Sequence, residues 1–136
     1  MKRPWEVMLL AAMAFAAAAI AIVVSVSLLA PGTWLDRMWE LNVPAHEAFA
    51  AKAGAVAAVL LFVGVLAAAT GVGLLTRQVW AWLLALAGIG INALGDGVSL
   101  LLTRDWFHGV AGILVDALFV FLLLRASVRA FFLARR

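Results

Sequence analysis

A chain of 136 residues that is 68% hydrophobic and 12% charged carries more apolar surface than a soluble domain of this size can bury, so its natural solvent is a bilayer. It has no cysteine, which excludes disulfides, thiol catalysis and thiolate metal sites. The net charge of +3 and the pI near 10.7 come from basic residues gathered near the ends of apolar runs, a pattern that fits contact with anionic lipid and not nucleic-acid binding.

Four stretches are long enough to cross the hydrocarbon core, which takes about 20 helical residues. They cover approximately 5–30, 47–76, 79–102 and 107–133. Lipid satisfies no open backbone groups, and the runs lack the alternation of a barrel, so helices are expected. Little sequence remains outside them. The expected fold is all-α, a single antiparallel bundle of four transmembrane helices.

The first span follows Met1-Lys2-Arg3 and is alanine-rich, with Ser25 and Ser27 its polar positions. Its apolar stretch is too long for the core of a secretory signal and no clear cleavage site follows, so it reads as a retained span. Pro31-Gly32 ends it. Thr33 then looks like an N-cap, with Asp36 near the positive end of the helix dipole. In Trp34–Leu41 the positions Trp34, Leu35, Met38 and Leu41 recur at helical spacing opposite Asp36, Arg37 and Glu40. This predicts a short amphipathic helix on the outer membrane surface; an ordered loop with aromatic anchors is the competing reading.

Asn42-Val43-Pro44 interrupts that segment, and Pro44 suits the start of the next helix. The second span places Ala50, Ala57, Gly64 and Gly71 at every seventh position, a stripe that admits a close neighbouring helix. A short connection around Thr76-Arg77-Gln78 makes spans two and three an antiparallel hairpin. The connection at Thr103–Trp106 does the same for spans three and four.

Charge and aromatic placement give an orientation. Lys2, Arg3, Arg77, Arg125, Arg129, Arg135 and Arg136 share one side, seven of the ten basic residues. By the positive-inside rule both termini are expected in the cytoplasm, the membrane being a bacterial cytoplasmic one. The six tryptophans, Trp5, Trp80 and Trp82 on that side and Trp34, Trp39 and Trp106 on the other, are expected to form interfacial belts.

Asp96 and Asp116 stand inside the third and fourth spans, where a carboxylate is costly and commonly functional. Asn92 lies four residues before Asp96 on the same helical face, which Ser99 and Thr103 continue outwards. Each aspartate is ten residues from Trp106, so both are expected about 15 Å below the outer hairpin, at equal depth. Facing carboxylates repel when both are ionised, so the pair is expected to share a proton. Gly95 and Gly97 around Asp96, with Gly109 and Gly112 near Asp116, leave room for water or an ion. Lys52, read as one to two turns inside the second span, either snorkels outwards or reaches Asp96. The alternative to a functional pair is a buried polar clasp that holds helices in register.

His46 and His108 begin spans two and four, beside Glu47 and Asp105. They are the weak candidates for a divalent metal, without the tight spacing of a defined motif. No cofactor is predicted.

In length and number of spans the chain resembles the small multidrug resistance transporters and the four-helix glutathione and eicosanoid enzymes. The first family relies on a glutamate inside its first span, whereas Glu6 stands at the span's end; the arginine-rich first-helix pattern of the second is absent. No residue role follows. Three functions remain open. One is a proton- or cation-coupled carrier or small-molecule binding protein using Asp96, Asp116 and Asn92. Another is an accessory or assembly subunit docking a second copy or a partner membrane subunit. The third is a membrane enzyme acting on a lipid-soluble substrate.

Overall fold

The computed structural model describes residues 2–41 and 43–134. Among these every regular element is helical: α1 (Trp5–Leu29), a 3-10 helix (Trp34–Leu41), α2 (Val43–Ala50), α3 (Ala53–Leu75), α4 (Val79–Thr103), α5 (Trp106–Leu124) and α6 (Ala126–Leu133). The protein is all-α, and α1, α3, α4 and α5 are long and apolar enough to cross a membrane. Asn42, invoked as a helix interruption, and Arg135 and Arg136, invoked in the charge map, lie outside the described residues.

Two spans are shorter than the hydropathy pattern predicts. The chain turns at Ala51–Lys52, where the Lys52 N–H donates to the Phe49 carbonyl at 3.1 Å, so 47–50 belong to α2 and the membrane-length helix starts at Ala53. Lys52 therefore precedes the apolar helix, where an ammonium group costs least, instead of standing inside it. The fourth span stops at Leu124 because Arg125 has extended backbone, ψ 143°, and α6 is a separate helix.

The packing divides into two compact units, residues 1–12 with 70–136, and residues 13–69. In the second unit, Leu28, Trp39 and Ala57 form the buried centre. Ser25 is fully buried because its hydroxyl donates to the Ala57 carbonyl at 2.8 Å, tying α1 to α3. A Cβ on Gly64 would stand 2.8 Å from Ile22 Cγ1, so the small-residue stripe does permit close helix approach here. The segment 34–41 is helical as predicted, in 3-10 form, with a different cap. Thr33 Oγ1 donates back to the Ala30 carbonyl, and the Asp36 carboxylate accepts from the Gly32 N–H at 2.6 Å.

In the first unit, α4 and α5 form an antiparallel hairpin. Gly109 meets Leu100, Gly112 meets Asp96, Asn92 bonds Asp116, and Trp82 bonds Leu123, one contact after another along the pair. The core lies where α5 ends: Val7, Leu10, Ala11, Leu74, Ala81, Trp82, Leu122 and Leu123 are buried together with Val128, Phe131 and Phe132 of α6. The α3–α4 turn is a Schellman closure, with the Gln78 N–H on the Gly73 carbonyl at 2.8 Å and Arg77 at φ 62°. That left-handed conformation costs a non-glycine residue about 1 kcal/mol. The guanidinium offsets it by donating to the carbonyls of Phe131 and Ala134 while lying over the Phe131 ring, so the same arginine caps α6.

Two tryptophans correct the belt expectation. Trp5, Trp34, Trp80 and Trp106 are exposed, as anchors should be. Trp82 and Trp39 are each 8% exposed, because their indole N–H groups have internal acceptors: the Leu123 carbonyl at 2.9 Å and Ser27 Oγ at 3.1 Å.

Candidate functional site

The polar cluster within the membrane-length helices is built by Asn92 and Asp96 on α4 and Asp116 on α5. Asn92 Nδ2 lies 3.1 and 3.0 Å from the two carboxylate oxygens of Asp116, and 3.5 Å from Asp96 Oδ2. One amide therefore serves both acids, which stand within two hydrogen-bond lengths of each other. Asp116 is 7% exposed, Asp96 is half-buried and Asn92 is exposed.

The aspartates are not at equal depth. Asp116 faces Asn92, while Asp96 faces Gly112, so the acids are offset by about one helical turn. The hairpin is centred at Arg104–Asp105, between the end of α4 and the start of α5, and not at Trp106. Counting from the true centre lengthens the α5 arm and shortens the α4 arm.

Of the four glycines expected to make space, one does so for an acid. A Cβ on Gly112 would lie 3.0 Å from Asp96 Cγ and closer still to Oδ2, so the bare backbone of α5 is what admits the Asp96 carboxylate. Gly109 admits Leu100 instead, and Gly95 and Gly97 face open space.

The chemistry available is that of two carboxylates around an amide. Two carboxylates this close, bridged by one amide, form a set of oxygen ligands of the kind that hard cations and protons take. The Asn92 amide orients Asp116 in either case.

The other predicted residues have surroundings of their own. Ser99 is exposed, and its carbonyl accepts from Thr103 Oγ1 at 2.7 Å. Lys52 is exposed in the α2–α3 turn of the other unit. His46 stacks on Trp39, with ring centroids 4.9 Å apart, and Glu47 is exposed on α2. His108 Nδ1 lies 2.8 Å from Asp105 Oδ2, and Asp105 caps α5 by accepting from the His108 N–H. These hydrogen bonds hold the Asp105 carboxyl below its ordinary range, the side-chain bond from His108 contributing most. Among the described residues no three His, Asp or Glu side chains are grouped as a metal site requires.

One polar site was not anticipated. Glu6, 3% exposed, pairs with Arg125 at 2.8 Å and accepts from Ser127 Oγ at 3.5 Å. Its signal in the sequence was a carboxylate at the start of an apolar run; its partners lie near the opposite end of the chain, where no local spacing reveals them.

No protein-family model matches the chain, and neither a curated protein nor a solved structure matches it. The class defined so far is an all-α protein with four membrane-length helices and a paired-carboxylate cluster in two of them.

Proposed function

We propose that this is a small integral membrane protein whose Asp96–Asn92–Asp116 cluster takes up and releases a proton or cation, as the coupling site of a carrier or small-molecule binding protein. The observation that carries the reading is the single Asn92 amide shared by two carboxylates in the middle of membrane-length helices. A clasp that only holds helices together is best closed on every side. This one has an exposed amide and a half-buried acid, so exchange with its surroundings requires little rearrangement. The basic residues at one set of helix ends favour an orientation with both termini in the cytoplasm.

The test is infrared difference spectroscopy of the protein in nanodiscs, with pH or sodium concentration stepped. A carboxyl carbonyl band that responds to the step and disappears in Asp116→Asn is expected. A spectrum indifferent to pH and to sodium is the signature of a static clasp and sinks the reading.

One observation favours an accessory or oligomeric role as a second reading. α4 is the least apolar of the four membrane-length helices, yet among the described residues none of α4 beyond Trp82 is buried. In lipid the most polar helix gains most from being covered by protein. If the cover is a second copy of the chain, Gly95→Cys in both copies forms a disulfide across the contact when an added oxidant takes up the two electrons; a variant that stays monomeric with the oxidant rejects the oligomeric form of this reading.

A further inference from the structure

We propose that α6 is a releasable plug on the end of the first unit where α5 terminates, and that its release opens a route towards Asp116 from that end; this rests on the ion-handling reading of the cluster. The two ends of the α4–α5 hairpin are built differently. Towards Arg104–Asp105 the chain exposes Ser99, Leu101, Leu102 and Thr103, and Asn92 is itself exposed. Towards the other end polar side chains give way to Ala85, Leu86, Ile89 and Phe119, packed on Trp82, Leu122 and Leu123. α6 lays Val128, Phe131 and Phe132 on that same layer. A charge crosses such a layer only when it opens, because an apolar seal offers nothing to replace its hydration.

The seal is also the element most simply detached. α6 has eight residues, too few to hold helical form without its packing, and the extended Arg125 separates it from α5. Polar clasps fasten both of its ends. At its start, Arg125 pairs with buried Glu6 and Ser127 donates to the same carboxylate. At its finish, Arg77 donates to the carbonyls of Phe131 and Ala134. Arg125 is 42% exposed, so the ion pair is open on its arginine side and is weaker than a fully enclosed one. A short amphipathic segment held by clasps at its ends opens as one local unit, without unfolding of the hairpin beneath.

The absence of cysteine allows single thiol reporters to be placed. Ala85→Cys, packed on the core that α6 completes, and Thr103→Cys, at the exposed end, are reacted with a membrane-impermeant maleimide in nanodiscs. Thr103→Cys is expected to label in every background. Ala85→Cys is expected to be protected, and to label about tenfold faster or more when combined with Glu6→Gln or Arg77→Ala. Unchanged protection of Ala85→Cys in the folded double variants overturns the plug. Should those variants fail to fold, amide hydrogen exchange of the unaltered protein decides. Exchange of α6 as a unit ahead of α5 supports release, and exchange of the two together overturns it. An Asp116 carboxyl silent to pH and sodium while α6 still opens would instead overturn the ion-handling reading, so the two failures are distinguishable.

Discussion

Asn92 reaches across the α4–α5 hairpin to donate to both carboxylate oxygens of Asp116, at 3.1 and 3.0 Å, while remaining exposed itself. The buried acid thus depends on a neighbour that is open to its surroundings. Asn92→Ala should destabilise the protein by about 1 kcal/mol, typical of a hydrogen bond between membrane helices, by leaving Asp116 without its amide donor. Unfolding in mixed micelles measures this. An unaltered midpoint would mean that Asp116 finds another partner at no cost.

Gly112 and Gly95 should respond oppositely to alanine. A methyl on Gly112 enters the space of the Asp96 carboxylate, so Gly112→Ala forces that side chain aside at a cost of about 1–3 kcal/mol. Gly95→Ala meets nothing within 4 Å and should be neutral or stabilising, by up to about 1 kcal/mol from helix propensity. Parallel unfolding curves of the two variants check the contrast, and equal losses would contradict it.

Trp82 and Trp80 offer a second contrast, between an internal hydrogen bond and an exposed ring. Trp82→Phe removes the donor to the Leu123 carbonyl and shrinks a ring stacked on Phe132, so a loss of about 1–3 kcal/mol is expected. Trp80→Phe, at a ring 48% exposed, should change stability by less than about 0.5 kcal/mol. The measurement is thermal unfolding followed by circular dichroism.

The Asp105–His108 pair gives a pH prediction with a definite sign. The hydrogen bonds from His108 lower the folded-state affinity of Asp105 for its proton relative to the unfolded chain. Their stabilising effect is therefore fully present above the unfolded carboxylate value. It is lost as pH falls through the lower folded value. Asp105→Asn should flatten the acid limb of a plot of melting temperature against pH, and an acid limb identical to that of the unaltered protein would remove Asp105 as its source.

Hydropathy alone determined the class of this protein and the approximate place of four membrane-length helices, because a run of about 20 apolar residues has one inexpensive solution in lipid. It also put Asn92 and Asp96 on one face, since helical periodicity is a local property. Hydropathy averages over neighbours, so it did not see the breaks at Ala51–Lys52 and Arg125 that detach α2 and α6. The tertiary structure alone decided the register of α4 against α5. It therefore decided that Asp116 meets Asn92, that Asp96 sits in the Gly112 notch, and that Glu6 pairs with Arg125. Those pairings depend on how each helix is rotated and where its hairpin turns. Neither quantity is encoded by the spacing within a single helix; both are set by which side chains fit against the next one.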